Sequence, residues 1–252
     1  MKRKYRLNQN CFDNLNNETA YWLGFLYGDG SCTQENKIRL QIMWSDRELL
    51  FSFRNFVGSE DRPVKEVTRE RCHNASFEFR SWKIHNLLNK YELTKRKDSR
   101  GRLHFSLLQP EIRKHFIRGL MDADGSFYYQ TKSKDLHSEL TGFKPLLKDI
   151  KNVLVEDGII NETKNIVKNG SVFRIRLAKQ DTIKLIDYLY DGKQELKYKL
   201  NRKYALATQY RERLNDIDTD GVSDSPQKYH RPISSFNVGK QGEHSERVQF
   251  KS

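Results

Sequence analysis

One segment of this chain returns about 95 residues later, and that repeat limits the possible folds more than any other feature. Gly24-Phe25-Leu26-Tyr27-Gly28-Asp29-Gly30-Ser31 is answered by Gly119-Leu120-Met121-Asp122-Ala123-Asp124-Gly125-Ser126, offset by 95. Phe77-Glu78-Phe79-Arg80 reads like Phe173-Arg174-Ile175-Arg176 at an offset of 96, and Leu87-Leu88 like Leu185-Ile186 at 98. Offsets that drift slowly in one direction, with residue types kept, point to a duplication. Solenoids stack three or more short repeats; two long ones imply two similar half-domains.

Both halves read in the same order. A helix spans 18–28, with Asn17 as its N-cap, and a second spans 110–123, with Pro110 in its first turn. Strand-like runs follow at 31–34 and 37–43, then at 126–132 and 136–142; Ile38-Arg39-Leu40-Gln41-Ile42 alternates with period two. Amphipathic helices are expected at 46–57 and 145–156, strand pairs at 63–68 with 75–80 and at 160–168 with 171–178, and closing helices at 81–90 and 179–190. Asn169-Gly170 is a strong hairpin turn. The expected fold is therefore α+β, two pseudo-symmetric αββαββα halves over 1–108 and 109–213, with a basic helix near 196–213 appended to the second. Residues 214–252, rich in Ser, Gly, Asp and Gln without period, read as a loosely held tail.

The formal charge is +13, and residues 1–213 carry 41 basic against 27 acidic side chains, so the charge belongs to the body. Such a body suits a polyanion, nucleic acid first, with ribosomal proteins and membrane-surface binders sharing the signature. Cys11, Cys32 and Cys72 form neither a disulfide framework nor a CxxC zinc pattern, which suggests a reducing intracellular compartment. No apolar h-region follows the basic start, and no run approaches the ~20 apolar residues that span a bilayer, so no membrane partner is expected. Abundant Asn and Lys with little Ala fit an AT-rich genome, and the expected setting is a bacterial or phage-infected cytoplasm or an organelle.

The repeated helix has a chemical peculiarity. Gly24 and Gly28, like Gly119 and Ala123, lie four residues apart and form a small-residue stripe on one helix face. Such stripes let two backbones approach closely, so the two helices are expected to pack on each other between the halves. Gly30 and Gly125 stand where a helix end favours a left-handed residue, which places Asp29 and Asp124 at the negative ends of their helices. Two carboxylates and two negative helix ends converging need compensation. A hard divalent cation supplies it, held by Asp29, Asp124 and the carbonyl oxygens of Gly28 and Ala123, and Mg²⁺ fits this chemistry best. One Asp-Gly helix end alone is an ordinary cap; two at matching positions, each with the stripe, read as a site. Asp122, whose counterpart is Tyr27, reads as structural or peripheral.

Trp22-Leu23-Gly24-Phe25-Leu26-Tyr27-Gly28-Asp29-Gly30 and Ile117-Arg118-Gly119-Leu120-Met121-Asp122-Ala123-Asp124-Gly125 resemble the two motifs of single-chain LAGLIDADG homing endonucleases. Trp22, Leu23 and Tyr27 depart from the motif letters at positions where that family varies. The likeness in element order covers roughly residues 5–213. It implies motif helices at the interface and eight strands forming an antiparallel saddle in the DNA major groove. It also implies a monomer that binds a long double-stranded DNA site. Asp29 and Asp124 would hold the metals that cleave both strands across the minor groove and leave 3′ overhangs. Lys97 and Lys203, each following the last helix of a half, stand where that family often carries a lysine near the cleft. Each also lies in a basic cluster, where most lysines only contact backbone phosphate or solvent.

Strand alternation nominates a reading face: Arg39 and Gln41, Glu78 and Arg80, Tyr128 and Gln130, and Arg174 and Arg176 oppose the apolar residues between them. Arg, Gln and Glu suit base-edge contacts, although an isolated strand of this kind reads as a solvated face. An RNA maturase of the same fold, with intron RNA as partner, and a non-catalytic DNA-binding regulator are the rival readings. Retention of both aspartates favours cleavage. An intein is not expected, since the sequence begins with Met1 and ends in Lys251-Ser252 without the flanking nucleophiles that protein splicing needs.

Overall fold

The structure is a computed structural model and describes residues 4–33, 35–70, 72–93, 108–190 and 196–219. Helix α1 (Asn17–Asp29) opens on a capping box. The Asn16 side chain accepts from the Glu18 and Thr19 backbone N–H groups at 2.9 and 3.0 Å, and Asn16 N–H donates to Thr19 Oγ1 at 2.7 Å. The cap is thus Asn16, one residue before the expected Asn17, because only there does a Thr stand three residues on. β1 (Gly30–Cys32) and β2 (Lys37–Met43) follow, then a 3₁₀ turn (Trp44–Asp46), α2 (Glu48–Phe56), β3 (Lys65–Arg69), β4 (Cys72–Arg80) and α3 (Trp82–Lys90). The second half repeats the series: α4 (Pro110–Asp124), β5 (Gly125–Tyr129), β6 (Leu136–Gly142), α5 (Lys144–Glu156), β7 (Ile166–Asn169), β8 (Val172–Leu177) and α6 (Lys179–Tyr190). A last helix, α7 (Asn201–Thr219), starts later than the expected 196 because the Leu200 N–H is drawn to the Asp122 carboxylate before the helix begins.

Each half holds one four-stranded antiparallel sheet, ordered β1-β2-β4-β3 and β5-β6-β8-β7. This is the expected α+β architecture. Gly170, at φ +60°, turns the β7–β8 hairpin after Asn169, where a left-handed residue is needed. Registers anchor on the motif glycines: Gly30 pairs with Leu40, which pairs with Phe77, and Gly125 pairs with Leu140, which pairs with Ile175. Phe77 therefore corresponds to Ile175 and not to Phe173. The 96-residue offset read from the sequence slips by two, a shift that leaves the side chains on the same face and so escapes an alternation pattern.

One face of each sheet packs under helices. In the first half Ile38, Leu40, Ala75, Phe77 and Phe79 are buried beneath Leu50 and Phe53 of α2 and Ile84 and Leu88 of α3. Phe53 meets Phe77 and Phe79 at ring separations of 6.0 and 6.2 Å and Trp22 at 4.9 Å. Each fully buried ring of this kind contributes about 2–3 kcal/mol by removal from water. Helix α1 carries no polar stripe along Thr19–Gly28; every one of those residues is buried, since α1 runs between its own half and α4. No helix among the described residues is long and apolar enough to cross a membrane.

Candidate active site at the helix seam

The seam between the halves is made by backbone contact. A Cβ built on Gly24 would lie 2.0 Å from the Phe116 carbonyl oxygen, and one on Gly119 would lie 2.0 Å from that of Tyr21. Toward the C-terminal ends, a Cβ on Gly28 would meet Ala123 Cβ at 2.3 Å and Asp124 Cγ and Oδ2 at 3.2 Å. The seam thus brings Gly24, Gly28, Gly119 and Ala123 together and lays the Asp124 carboxylate against the residue preceding Asp29. Both helices end at these aspartates.

The glycines after them do a different job from the one expected. Gly30 and Gly125 have φ −79° and −91°, in the extended region, so no left-handed turn is made. The chain passes straight from helix to strand, and any side chain would strike the preceding turn. A Cβ on Gly30 would sit 2.4 Å from the Leu26 carbonyl oxygen, and one on Gly125 would sit 2.2 Å from Met121 Sδ.

Part of the negative charge at the end of α4 is met from within the chain. The Lys203 ammonium, from α7, donates to the carbonyl oxygens of Met121, Asp122 and Gly125 at 2.9, 2.6 and 2.6 Å. Its three protons are committed, so Lys203 acts as a fixed charge at the helix end instead of reaching outward over a phosphate. Burial pulls its pKa down to about 8; Asp122 opposes that fall, Arg202 adds to it, and Asp29 and Asp124 oppose it more weakly. That both aspartates act on one ammonium is a second sign of their convergence. Lys97 lies outside the described residues.

Asp122 is buried beneath this end. Oδ2 accepts from the Tyr21 hydroxyl at 2.8 Å and the Leu200 N–H at 2.9 Å, and Oδ1 accepts from the Tyr190 hydroxyl at 3.2 Å. Burial raises its carboxyl above the ordinary range, while these hydrogen bonds and the nearby Lys203 and Arg118 pull the other way. It joins α1, α4, α6 and the start of α7, a structural position.

Beside Asp29 a cleft of about 300 Å³ opens, lined by Asp29, Gln41, Asp46, Asn74 and Arg202 among others. Arg202 crosses from the second half to the first, its Nε 3.2 and 3.0 Å from the two Asp46 oxygens. Sequence reasoning missed this pair, which is 156 residues apart and carries no local signal.

The polar sheet faces extend outward from the seam. Gln41 pairs in register with Ser76, then Arg39 with Glu78, then Lys37 with Arg80. Glu78 lies 3.5 Å from Lys65, and Arg80 donates to Glu35 at 2.8 Å. In the second half Tyr128 pairs with His137, and Glu139 holds Arg174 and Arg176 at 3.5 and 3.0 Å. Glu139 was also missed, although the alternation of Leu136, Ser138 and Leu140 places it on the polar face. Gln130, expected on a strand, lies in the turn after β5, its N–H donating to the Asp135 carbonyl and its carbonyl accepting from Lys134. That turn closes early because Lys134 takes a left-handed conformation, φ +60°.

The donors at the seam are oxygens, which suits a hard divalent cation. No group of three or more His, Cys, Asp or Glu arranged around a metal occurs among the described residues. Two carboxylates would then hold ions whose other ligands are backbone carbonyls, water or phosphate, a donor set that Mg²⁺ accepts.

No protein-family model and no curated protein matches the sequence. Solved structures do match the fold. The I-SmaMI LAGLIDADG homing endonuclease bound to cleaved DNA aligns at TM-score 0.52 and 16% identity over 82% of this chain and 91% of its own. The meganuclease I-SmaMI bound to uncleaveable DNA aligns at 0.51 and 14% over 80% and 91%. The LAGLIDADG meganuclease I-CpaMI bound to uncleaved DNA aligns at 0.50 and 16% over 82% and 93%. The two sheets, their registers and the paired helices ending in Asp29 and Asp124 therefore give this chain the fold of the LAGLIDADG meganucleases.

Proposed function

We propose that this chain is a site-specific double-strand DNA endonuclease of the LAGLIDADG homing type, acting as a monomer with divalent metal, Mg²⁺ by preference, and leaving 3′ overhangs. The observation that carries this reading is the seam itself: one carboxylate from each half, at the ends of two helices in backbone contact, with Asp124 laid against Gly28. The net charge of +13 and the polar sheet faces fit a long duplex beside that seam. Of the solved structures sharing the fold, one is I-SmaMI bound to its uncleaved DNA target in the presence of calcium ions.

Asp29 and Asp124 would hold the cations, with the Gly28 and Ala123 carbonyls as further donors. Bound Mg²⁺ supplies Lewis-acid charge at the phosphate and a more acidic water. The remaining work falls to the protein. Lys203 keeps a positive charge against the α4 end, so the two carboxylates are tolerated side by side. Arg39, Gln41 and Glu78 on one sheet and Tyr128, Arg174 and Arg176 on the other present donors and acceptors of the kinds that read base edges. The differing side chains of the two faces suit a target whose halves differ in sequence.

The test is cleavage of a plasmid library of target sites in Mg²⁺. Linear product is expected from the unaltered protein, with Asp29→Asn and Asp124→Asn each losing it while still binding DNA. Undiminished cutting by either variant removes the assigned role.

A further inference from the structure

Arg202 and Asp46 are drawn together across the seam for a reason that a surface ion pair does not explain. Asp46, in the turn after β2, is almost wholly covered, with its side chain 9% exposed, whereas that of Arg202 is 54% exposed. A largely covered carboxylate therefore holds the root of an exposed guanidinium. Both carboxylate oxygens engage Nε, and the two terminal nitrogens make no hydrogen bond among the described residues. Both residues line the cleft that contains Asp29.

We propose that Arg202 is a phosphate-holding residue serving the Asp29 side of the site. Asp46 fixes Nε and so presents the outer nitrogens as a fork, the geometry that matches two oxygens of a phosphodiester. Arg202 and Asp46 both line the cleft at Asp29, which places the bound phosphate on that side of the site. Lys203, the neighbouring cation, has its protons committed to the end of α4. The ligand is a DNA backbone phosphate, and the assignment rests on the endonuclease reading above.

The experiment uses the full chain with its cleavable duplex, each strand end-labelled differently, and compares the unaltered protein with Arg202→Gln and Arg202→Lys. Binding in EDTA across a salt series reads phosphate contact without metal. Arg202→Gln is expected to reduce the slope of log K against log salt by about 0.9, and Arg202→Lys to keep it. In Mg²⁺ both variants are expected to cut one strand at least tenfold more slowly and the other at the original rate, so that nicked DNA accumulates. An unchanged slope for Arg202→Gln, or equal slowing of both strands, overturns the proposal. Thermal melting of each variant checks folding. Should Arg202→Gln not fold, Arg202→Lys decides alone, since it keeps the charge but loses the fork, and cutting both strands at the original rate then overturns the proposal. If the unaltered protein neither binds nor cuts DNA, the endonuclease reading fails; if it cuts normally and Arg202→Gln is indistinguishable from it, only the Arg202 assignment fails.

Discussion

Gly24 and Gly119 each lie under a carbonyl of the opposite helix, Phe116 over the first and Tyr21 over the second, at the same 2.0 Å from where a Cβ would stand. The contact is reciprocal and made of backbone, so neither helix can yield by rotating a side chain. Gly24→Ala or Gly119→Ala is expected to force the helices apart, costing about 3 kcal/mol or more, the upper range for inserting a methyl into a packed core. Urea denaturation of each variant measures this. The same displacement would separate Asp29 from Asp124, so cleavage should fall more steeply than stability at temperatures where the variant remains folded.

His115, on α4, is buried, and its Nδ1 has no hydrogen-bond partner among the described residues. Burial, helped by Arg118 and Lys114, holds its pKa down at about 4 against an ordinary 6.5. Between those values the unfolded chain carries the extra proton, so stability rises with pH across the window and is lost as pH falls through it. The loss is on the order of 2–3 kcal/mol. Denaturation midpoints at pH 7 and pH 4.5 should therefore differ more for the unaltered protein than for His115→Gln, which cannot take up that proton.

What could be read from the sequence was whatever repeats locally. The motif helices, their small-residue stripe and the two aspartates were legible because the same nine-residue pattern occurs twice. The strand alternation was legible too, but alternation has period two, and a slip of two between Phe173 and Ile175 leaves it intact. Gly30 and Gly125 were identified as necessary for the wrong reason: a left-handed turn and a crowded helix-to-strand junction both demand glycine, and only the backbone angles separate them. Asp46 with Arg202 was illegible because its partners come from different halves. Lys203 was found by position, but its orientation toward the end of α4 depends on how residues 196–200 dock.

Asp122 shows what that docking depends on. Its carboxylate receives two tyrosine hydroxyls and the Leu200 N–H, with no solvent to replace them. Asp122→Ala strands all three donors and should cost about 3–5 kcal/mol, since each unsatisfied buried group costs about 1–3. Asp122→Asn should recover most of that, because its oxygen can still accept from Leu200 and Tyr21 and its amide can donate to the Tyr190 hydroxyl oxygen. The hydrogen-exchange rate of the Leu200 amide separates the two, rising sharply in the alanine variant and little in the asparagine variant.

Glu139 offers a test on the sheet face that leaves the seam untouched. It sits in register with Arg176 and binds both Arg174 and Arg176, so one carboxylate sets the direction of two guanidinium groups. At the equivalent register in the first half the charges are exchanged, Arg39 on β2 facing Glu78 on β4. Glu139→Gln keeps shape and burial but removes the charge that restrains the arginines. Two consequences with opposite signs follow. Binding to non-specific DNA should tighten, since one negative charge leaves the face proposed to meet DNA. Discrimination among bases should weaken over one or two adjacent pairs in the half-site read by the second sheet, where a fixed arginine fork is worth about 1–3 kcal/mol against a wrong base. Selection from a randomised duplex pool, with binding competition against bulk DNA, reads both. Relaxed preference confined to those pairs with stronger bulk binding is the expected pattern. An unchanged preference would mean that Arg174 and Arg176 make only backbone contacts and that base reading in this half falls to other residues of the face, Tyr128 first.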